Sequence, residues 1–262
     1  MKFRVILLCI LLGLVGCENR EPEAKPTMLV GIADQVEAVR STVVHVMKEG
    51  DCQGSGCIIS ADGFIFTAKH VTDGDDGDYI VTLDNGDKYP VVKALEVKDH
   101  DVAILKIEPK GPLPFCKLAD VKALRPGDFL FIMGSPLGDI NFNSVTLGIL
   151  SYMERDLDQY LTNYSYGWTP TFQSDAAAYP GNSGGPVFNL NGEVVGVLVA
   201  GMEACLNYSV PVNVFMDDLA TIRLWFELSR FEVLEPKKES DPVWYMSEDE
   251  YYESRVKHAE GA

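Results

Sequence analysis

The sequence predicts an all-β protein, and three observations carry the prediction. Short apolar runs recur along the chain, turn signals separate them, and no long helical pattern is interleaved between them. The first series reads "TVVHVM", "GCIISA", "FIFTAKHV", "YIVTLDN", "YPVVKALEV" and "DVAILKI", punctuated by Asp62-Gly63 and Asn85-Gly86. A second series reads "DFLFIMG", "NSVTLGILSYM", "TFQSDA", "GPVFNL" and "EVVGVLVAG", and Asn191-Gly192 between its last two runs signals a hairpin. Strands at this spacing suit barrels or sandwiches, whereas an α/β sheet needs a helix between successive strands.

One helix is expected, over 213–230. Asn213 can cap it, Asp217 and Asp218 sit in its first turns, and Arg223 and Arg230 lie toward its C-terminal end, each sign matching the helix dipole. Phe215, Leu219, Ile222 and Phe226 recur at helical spacing and give it a face to pack on the strands. Residues 231–262 then form an acidic tail, in which Ser247 and Glu250 make a capping-box pattern for a short terminal helix. The segment 152–171 is a long loop.

With 262 residues, 47% apolar and 23% charged, the chain can bury a sizeable globular core. A formal charge of −17 argues against a sequence-independent grip on phosphate backbones, so no nucleic-acid partner is expected.

The N-terminus carries an address. Lys2 and Arg4 precede an apolar run from Val5 to Val15, which has the length of a secretory signal's hydrophobic region and is short for a bilayer span. Leu14-Val15-Gly16-Cys17 resembles the lipobox of bacterial lipoproteins. That resemblance implies a signal over 1–16, lipidation of Cys17, and an anchor in a lipid bilayer of the bacterial envelope, facing the periplasm or the exterior. A cleaved signal with an incidental cysteine is the alternative. Removing 1–16 takes the formal charge from −17 to −19, and 17–35 reads as a polar tether.

Cys52, Cys57, Cys116 and Cys205 allow two disulfides in an oxidising compartment, in any of three connectivities, or buried free thiols. None lies in a C-x-x-C pair, which argues against zinc. "DGDDGD" at 73–78 lacks EF-hand spacing and reads as a solvated acidic turn. No metal and no cofactor is expected.

Serine catalysis needs a base beside the hydroxyl and a carboxylate to hold that base in the right tautomer. Four histidines are available. His45 lies inside an apolar run and reads as a strand residue, His258 is in the tail, and His100 sits in a "KDHD" turn. His70 ends "GFIFTAKHV", where a buried strand meets a loop. Asp101 immediately precedes the apolar run "VAILKI" and can be buried at its start. Ser183 lies in "GNSGGP", whose glycines let the backbone bend so that the Gly181 and Ser183 N–H groups can serve as an oxyanion hole.

Gly181 to Gly185 also fits the G-x-S-x-G nucleophile elbow, which needs a helix after the serine and the acid and histidine downstream. Here a hairpin follows Ser183, and the chain order is His70, Asp101, Ser183. That order belongs to the chymotrypsin-like double six-stranded β-barrel.

Together, "GSGCIISADGFIFTAKHV", "DHDVAILKI", "GSPLG…VTLGILS" and "QSDAAAYPGNSGGPVFNLNGEVVGV" resemble the trypsin-like serine proteases of the HtrA type, from about residue 36 to 230. The resemblance implies a protease domain over 36–230, with barrels at about 36–112 and 113–212 followed by the helix. It implies His70 as general base, Asp101 as its orienter, Ser183 as nucleophile, and Gly181 and Ser183 as oxyanion donors. Ala176, Ala177 and Ala178 would then line the pocket for the side chain on the acyl side of the cut, and their methyls imply a small or medium apolar preference.

Lys69 departs from the family pattern and is expected to point outward. Asn182 stands where digestive trypsins have an aspartate, so it cannot pair with a newly cut N-terminus. About thirty residues follow the helix, too few for a PDZ domain. The expectation is an endopeptidase acting on polypeptides in envelope protein processing or quality control. The alternatives are a trypsin-fold binding or scaffold protein with little turnover, and an esterase. The oligomeric state is open.

Overall fold

The computed structural model describes residues 31–48, 51–72, 79–97, 99–157, 170–203 and 205–215, with Leu219, Thr221, Arg223 and Leu224. The 1–16 segment read as a signal, Cys17, the acidic 73–78 run, 158–169 and the 231–262 tail lie outside the described residues.

The first apolar series closes into a barrel. Its strands are β1 (Val43–Lys48), β2 (Asp51–Ile58), β3 (Phe64–Thr67), β4 (Tyr79–Thr82), β5 (Lys88–Glu96) and β6 (Ala103–Ile107), in spatial order β1-β2-β3-β6-β5-β4. A short helix α2 (Lys69–Thr72) follows β3. The second series gives β7 (Lys117–Leu118), β8 (Phe129–Gly134), β9 (Ser144–Arg155), β10 (Thr171–Ser174), β11 (Pro186–Asn189), β12 (Glu193–Glu203) and β13 (Leu206–Pro211). Six of these run in the order β11-β8-β9-β10-β13-β12, and pairing of β11 with β12 closes the ring. Strand β7 adds to β12 in parallel. The molecule is thus two six-stranded antiparallel barrels, the chymotrypsin-like fold expected from the sequence.

Closure removes the sheet edges and buries alternate side chains inside each ring. Phe66, Ile58, Ile65 and Leu105 fill the first barrel region and Phe131, Phe172, Phe188 and Leu130 the second, all under 2% exposed. Phe131 and Phe188 stack with ring centroids 5.0 Å apart. Each such side chain contributes about 1.5–3 kcal/mol by leaving water. The Asn191-Gly192 turn joins β11 to β12 as the sequence predicts, with Asn189 Oδ1 accepting the Asn191 and Glu193 N–H groups.

A helix α1 (Ile32–Arg40) precedes β1, beginning inside the stretch read as tether. It buries Val39 and packs Ile32 and Val36 on the core. Toward the other end, a 3₁₀ turn covers Val212–Val214, and the Leu219 N–H donates to the Phe215 carbonyl at 3.1 Å. Leu219, Thr221, Arg223 and Leu224 are helical and fall within the span 213–230 in which the helix is expected. Among the described residues no helix is long and apolar enough to cross a membrane.

Several fully buried polar side chains break the apolar pattern: His45, Ser55, Thr67, Asp101 and Ser135. Buried polar groups carry more information than buried apolar ones. These belong to segments at or beside the meeting of the two barrels.

Candidate active site

His70 and Asp101 are brought together by strand pairing. The register of β3 on β6 sets Thr67 opposite Ala103, so the residues just beyond β3 and just before β6 are neighbours. His70 sits on α2, one-quarter exposed, and Asp101 is fully buried. The backbone N–H of His70 donates to Asp101 Oδ1 at 2.9 Å, and its ring Nδ1 lies 2.7 Å from Oδ2. An ionised carboxylate only accepts, so in a neutral imidazole at this place the proton is on Nδ1 and the lone pair on Nε2. The side chain of Lys69 turns away to Glu96, 2.6 Å distant.

The loop bearing Ser183 is pressed onto the same region. The Ser55 N–H donates to the Ser183 carbonyl at 2.8 Å. At Gly184 (φ +81°) an added Cβ would collide with Thr67 Oγ1, the Ser55 carbonyl and the Ala68 N, which only glycine avoids. Gly54 is wedged between the Val71 side chain and the Ser183 carbonyl. The Ser183 loop therefore touches the chain on both flanks of His70, at Ala68 and, across Gly54, at Val71.

Within the 180–185 loop, donors alternate in their use. The N–H groups of Asn182, Gly184 and Gly185 donate to the carbonyls of Tyr179, Leu198 and Asn182. Those of Gly181 and Ser183 have no acceptor among the described residues. Each of these two belongs to a peptide whose carbonyl is held: Pro180 C=O accepts from Leu137 N–H at 2.8 Å, and Asn182 C=O from Gly185 N–H at 2.9 Å. A trans peptide is planar, so fixing its carbonyl fixes the direction of its N–H. Gly181 has φ +99°, and an added Cβ would stand 2.5 Å from the Ser135 carbonyl oxygen.

Ser55 and the β8–β9 loop (135–143) brace this arrangement; both fall in segments that carry the family resemblance, but neither was given a role from the sequence. Ser55 Oγ accepts from the Ser135 N–H at 2.9 Å and donates to the Gly181 carbonyl at 2.7 Å. In the local sequence Ser55 shows only as a serine between two glycines. Asn182 is nearly buried, and its Oδ1 has no hydrogen-bond partner among the described residues.

The three alanines differ. Ala176 is fully buried in the core, with its carbonyl held by the Asn207 amide, so its methyl offers no open surface. Ala177 and Ala178 are half-buried, and Thr146 Oγ1 donates to the Ala177 carbonyl at 2.7 Å. The adjoining Asp175 carboxylate accepts the Ile149 N–H. Among the described residues no three His, Cys, Asp or Glu side chains cluster closely enough to hold a metal ion. Cys57 and Cys116 are buried free thiols, and burial, with Cys116 beside it, pushes the Cys57 thiol well above its usual range.

Residues 54–197 match the family model described as a trypsin-like peptidase domain. The chain is 38% identical over 188 residues to a probable periplasmic serine endoprotease, DegP-like, of Pseudomonas savastanoi pv. phaseolicola, covering 70% of this chain and 37% of that protein. It is 34% identical over 215 residues to the mitochondrial serine protease HTRA2 of Bos taurus, covering 77% of this chain and 44% of that one. Among solved structures, the HtrA-type protease AlgW with a decapeptide superposes with a TM-score of 0.63 at 25% identity, over 74% of this chain and 67% of the other. The chain spans well under two thirds of the length of these curated relatives.

Proposed function

Because the chain belongs to the family of trypsin-like peptidase domains, we propose that it is a serine endopeptidase with Ser183 as nucleophile, His70 as general base and Asp101 as the group that orients that base. The observation that carries the reading is the double hydrogen bond from His70 to Asp101, which leaves Nε2 as the acceptor. Nε2 takes the Ser183 proton as Oγ attacks the scissile carbonyl, and Asp101 stabilises the imidazolium that forms. The developing oxyanion is received by the Gly181 and Ser183 N–H groups, and their lack of an acceptor among the described residues supports this role. Collapse of the tetrahedral intermediate expels the amine, which leaves with the proton from His70. Water, activated by the same base, then releases the acyl group.

The substrate side chain on the acyl side would rest against Ala177 and Ala178. The nearest acid in sequence, Asp175, already accepts the Ile149 N–H through Oδ1, and the residues next to it are alanines. We assign a preference for small or medium apolar residues. The N-terminal signal and Cys17 support a lipid-anchored enzyme of the bacterial envelope, as does the periplasmic name of the DegP-like relative. Its work there would be protein processing or quality control.

The test incubates the purified chain and its Ser183→Ala variant with an unfolded protein and with matched peptide and ester substrates. The proposal expects internal cuts after Val, Ala or Leu by the unaltered chain and none by the variant. Ester cleavage alone would make it an esterase, and binding without turnover a scaffold.

A further inference from the structure

His45 plays no part in the chemistry above, yet it is a fully buried imidazole in an apolar strand. Such a group is costly to bury unless its polar atoms are satisfied. Its ring Nδ1 lies 2.9 Å from Asp139 Oδ1, a carboxylate of the other barrel, 94 positions away in sequence. Asp139 opens a 3₁₀ turn in the 135–143 loop that also carries Leu137.

In the β1–β2 register His45 stands directly opposite Ser55, so the two side chains share a face of the sheet. Both hold the 135–143 loop: Ser55 Oγ accepts the Ser135 N–H, and His45 engages Asp139 four residues on. Between these two tethers lies Leu137, whose N–H donates to the Pro180 carbonyl. Leu137 adopts φ +60°, a left-handed conformation that is unfavourable for a bulky residue. The far end of the loop is tied down as well. Asn143, also left-handed at φ +58°, donates through Nδ2 to the Arg40 carbonyl and to Asp84 Oδ1. The loop holds Leu137 in its left-handed conformation between the tethers at Ser135 and Asp139.

We propose that His45 and Asp139 are a positioning pair for the oxyanion hole, holding the 135–143 loop so that Leu137 fixes the Pro180–Gly181 peptide with its N–H free for substrate. The inference rests on the serine endopeptidase reading for its catalytic consequence, while the mechanical link stands without it. Neither side chain touches the reacting atoms. Asp139 is largely exposed, but its removal leaves a buried His45 N–H without its acceptor, and that penalty falls on the anchored state.

The test compares Asp139→Ala, Asp139→Asn and the unaltered full chain in two assays. Steady-state peptide hydrolysis should show kcat about tenfold lower in Asp139→Ala, with KM within about twofold, because a donor aimed at the transition state is lost rather than a binding contact. Asp139→Asn keeps a side-chain oxygen for the His45 N–H and should restore at least half of kcat. Amide hydrogen exchange should rise in Asp139→Ala over both 135–143 and 179–184, and return toward the unaltered level in Asp139→Asn. Unchanged kcat and exchange in Asp139→Ala would overturn the proposal, as would an Asn variant no better than Ala or a loss confined to KM. If the unaltered chain hydrolyses no peptide, the functional reading fails, and the exchange experiment still decides the positioning link.

Discussion

His70 occupies both oxygens of Asp101, one through its backbone N–H at 2.9 Å and the other through ring Nδ1 at 2.7 Å. The backbone bond fixes where α2 starts relative to β6, and the ring bond fixes the tautomer. The two together make the carboxylate a two-point clamp on a single residue.

Asp101→Asn should therefore keep the fold and lose the chemistry. An amide in that place can present a donor to Nδ1, which moves the ring proton to Nε2 and removes the base. The expected loss in kcat is roughly 10³- to 10⁴-fold, with a far-ultraviolet circular dichroism spectrum unchanged. A variant within tenfold of the unaltered rate would remove Asp101 from the mechanism.

Gly181→Ala should fail for a different reason. Its φ of +99° and the Ser135 carbonyl oxygen 2.5 Å from an added Cβ leave no room for a methyl. The loop must shift, and the Pro180–Gly181 peptide shifts with it. Loss of one oxyanion donor is expected to lower kcat roughly 10²- to 10³-fold. Normal kcat in a folded Ala variant would contradict the assigned donor.

His45 also sets a pH limit on stability. Burial holds its pKa below the ordinary histidine range, opposed by the facing Asp139 and reinforced by the positive charge of Lys88; its cross-strand neighbours Ser55 and Thr82 are uncharged. The unfolded chain then takes up the proton first as pH falls. Its stabilising contribution is complete above the unfolded value, about 6.5, and is lost as pH drops below it. Melting temperature should fall between pH 7 and pH 5 less steeply in His45→Gln than in the unaltered chain. Parallel curves would show that His45 does not titrate in this range.

The Cys57 thiol should resist alkylation. Its raised pKa keeps it protonated at neutral pH, and burial denies access to reagent. Iodoacetamide footprinting at pH 8 should modify Cys57 only after denaturant is added, while exposed Cys205 reacts in the native protein.

The barrels were legible in the sequence because their signals are local. Alternating apolar runs and the Asn191-Gly192 turn state their structure within a few residues. Helix α1 was harder, since it begins at Ile32, inside the 17–35 stretch whose Glu- and Pro-rich start reads as tether. The neighbourhood of His70 and Asp101 could be suggested by motif, but the double hydrogen bond required the β3–β6 register. The bracing around Gly181 was not legible at all. Ser55 reaches it across 126 positions and His45 reaches Asp139 across 94, and no local pattern encodes a partner at such separations. His45 accordingly read as an ordinary strand residue. Ala176 illustrates the opposite limit: the motif assigns it to a pocket, while packing buries its methyl in the core.

The central claim is that Ser183 is an activated nucleophile, and a fluorophosphonate probe tests it most directly. Intact-mass and peptide mapping should find one phosphonyl group per chain, on Ser183, forming rapidly in the unaltered protein and much more slowly in His70→Ala. A chain that remains unlabelled with peptide substrates present, or that is labelled elsewhere, would contradict it.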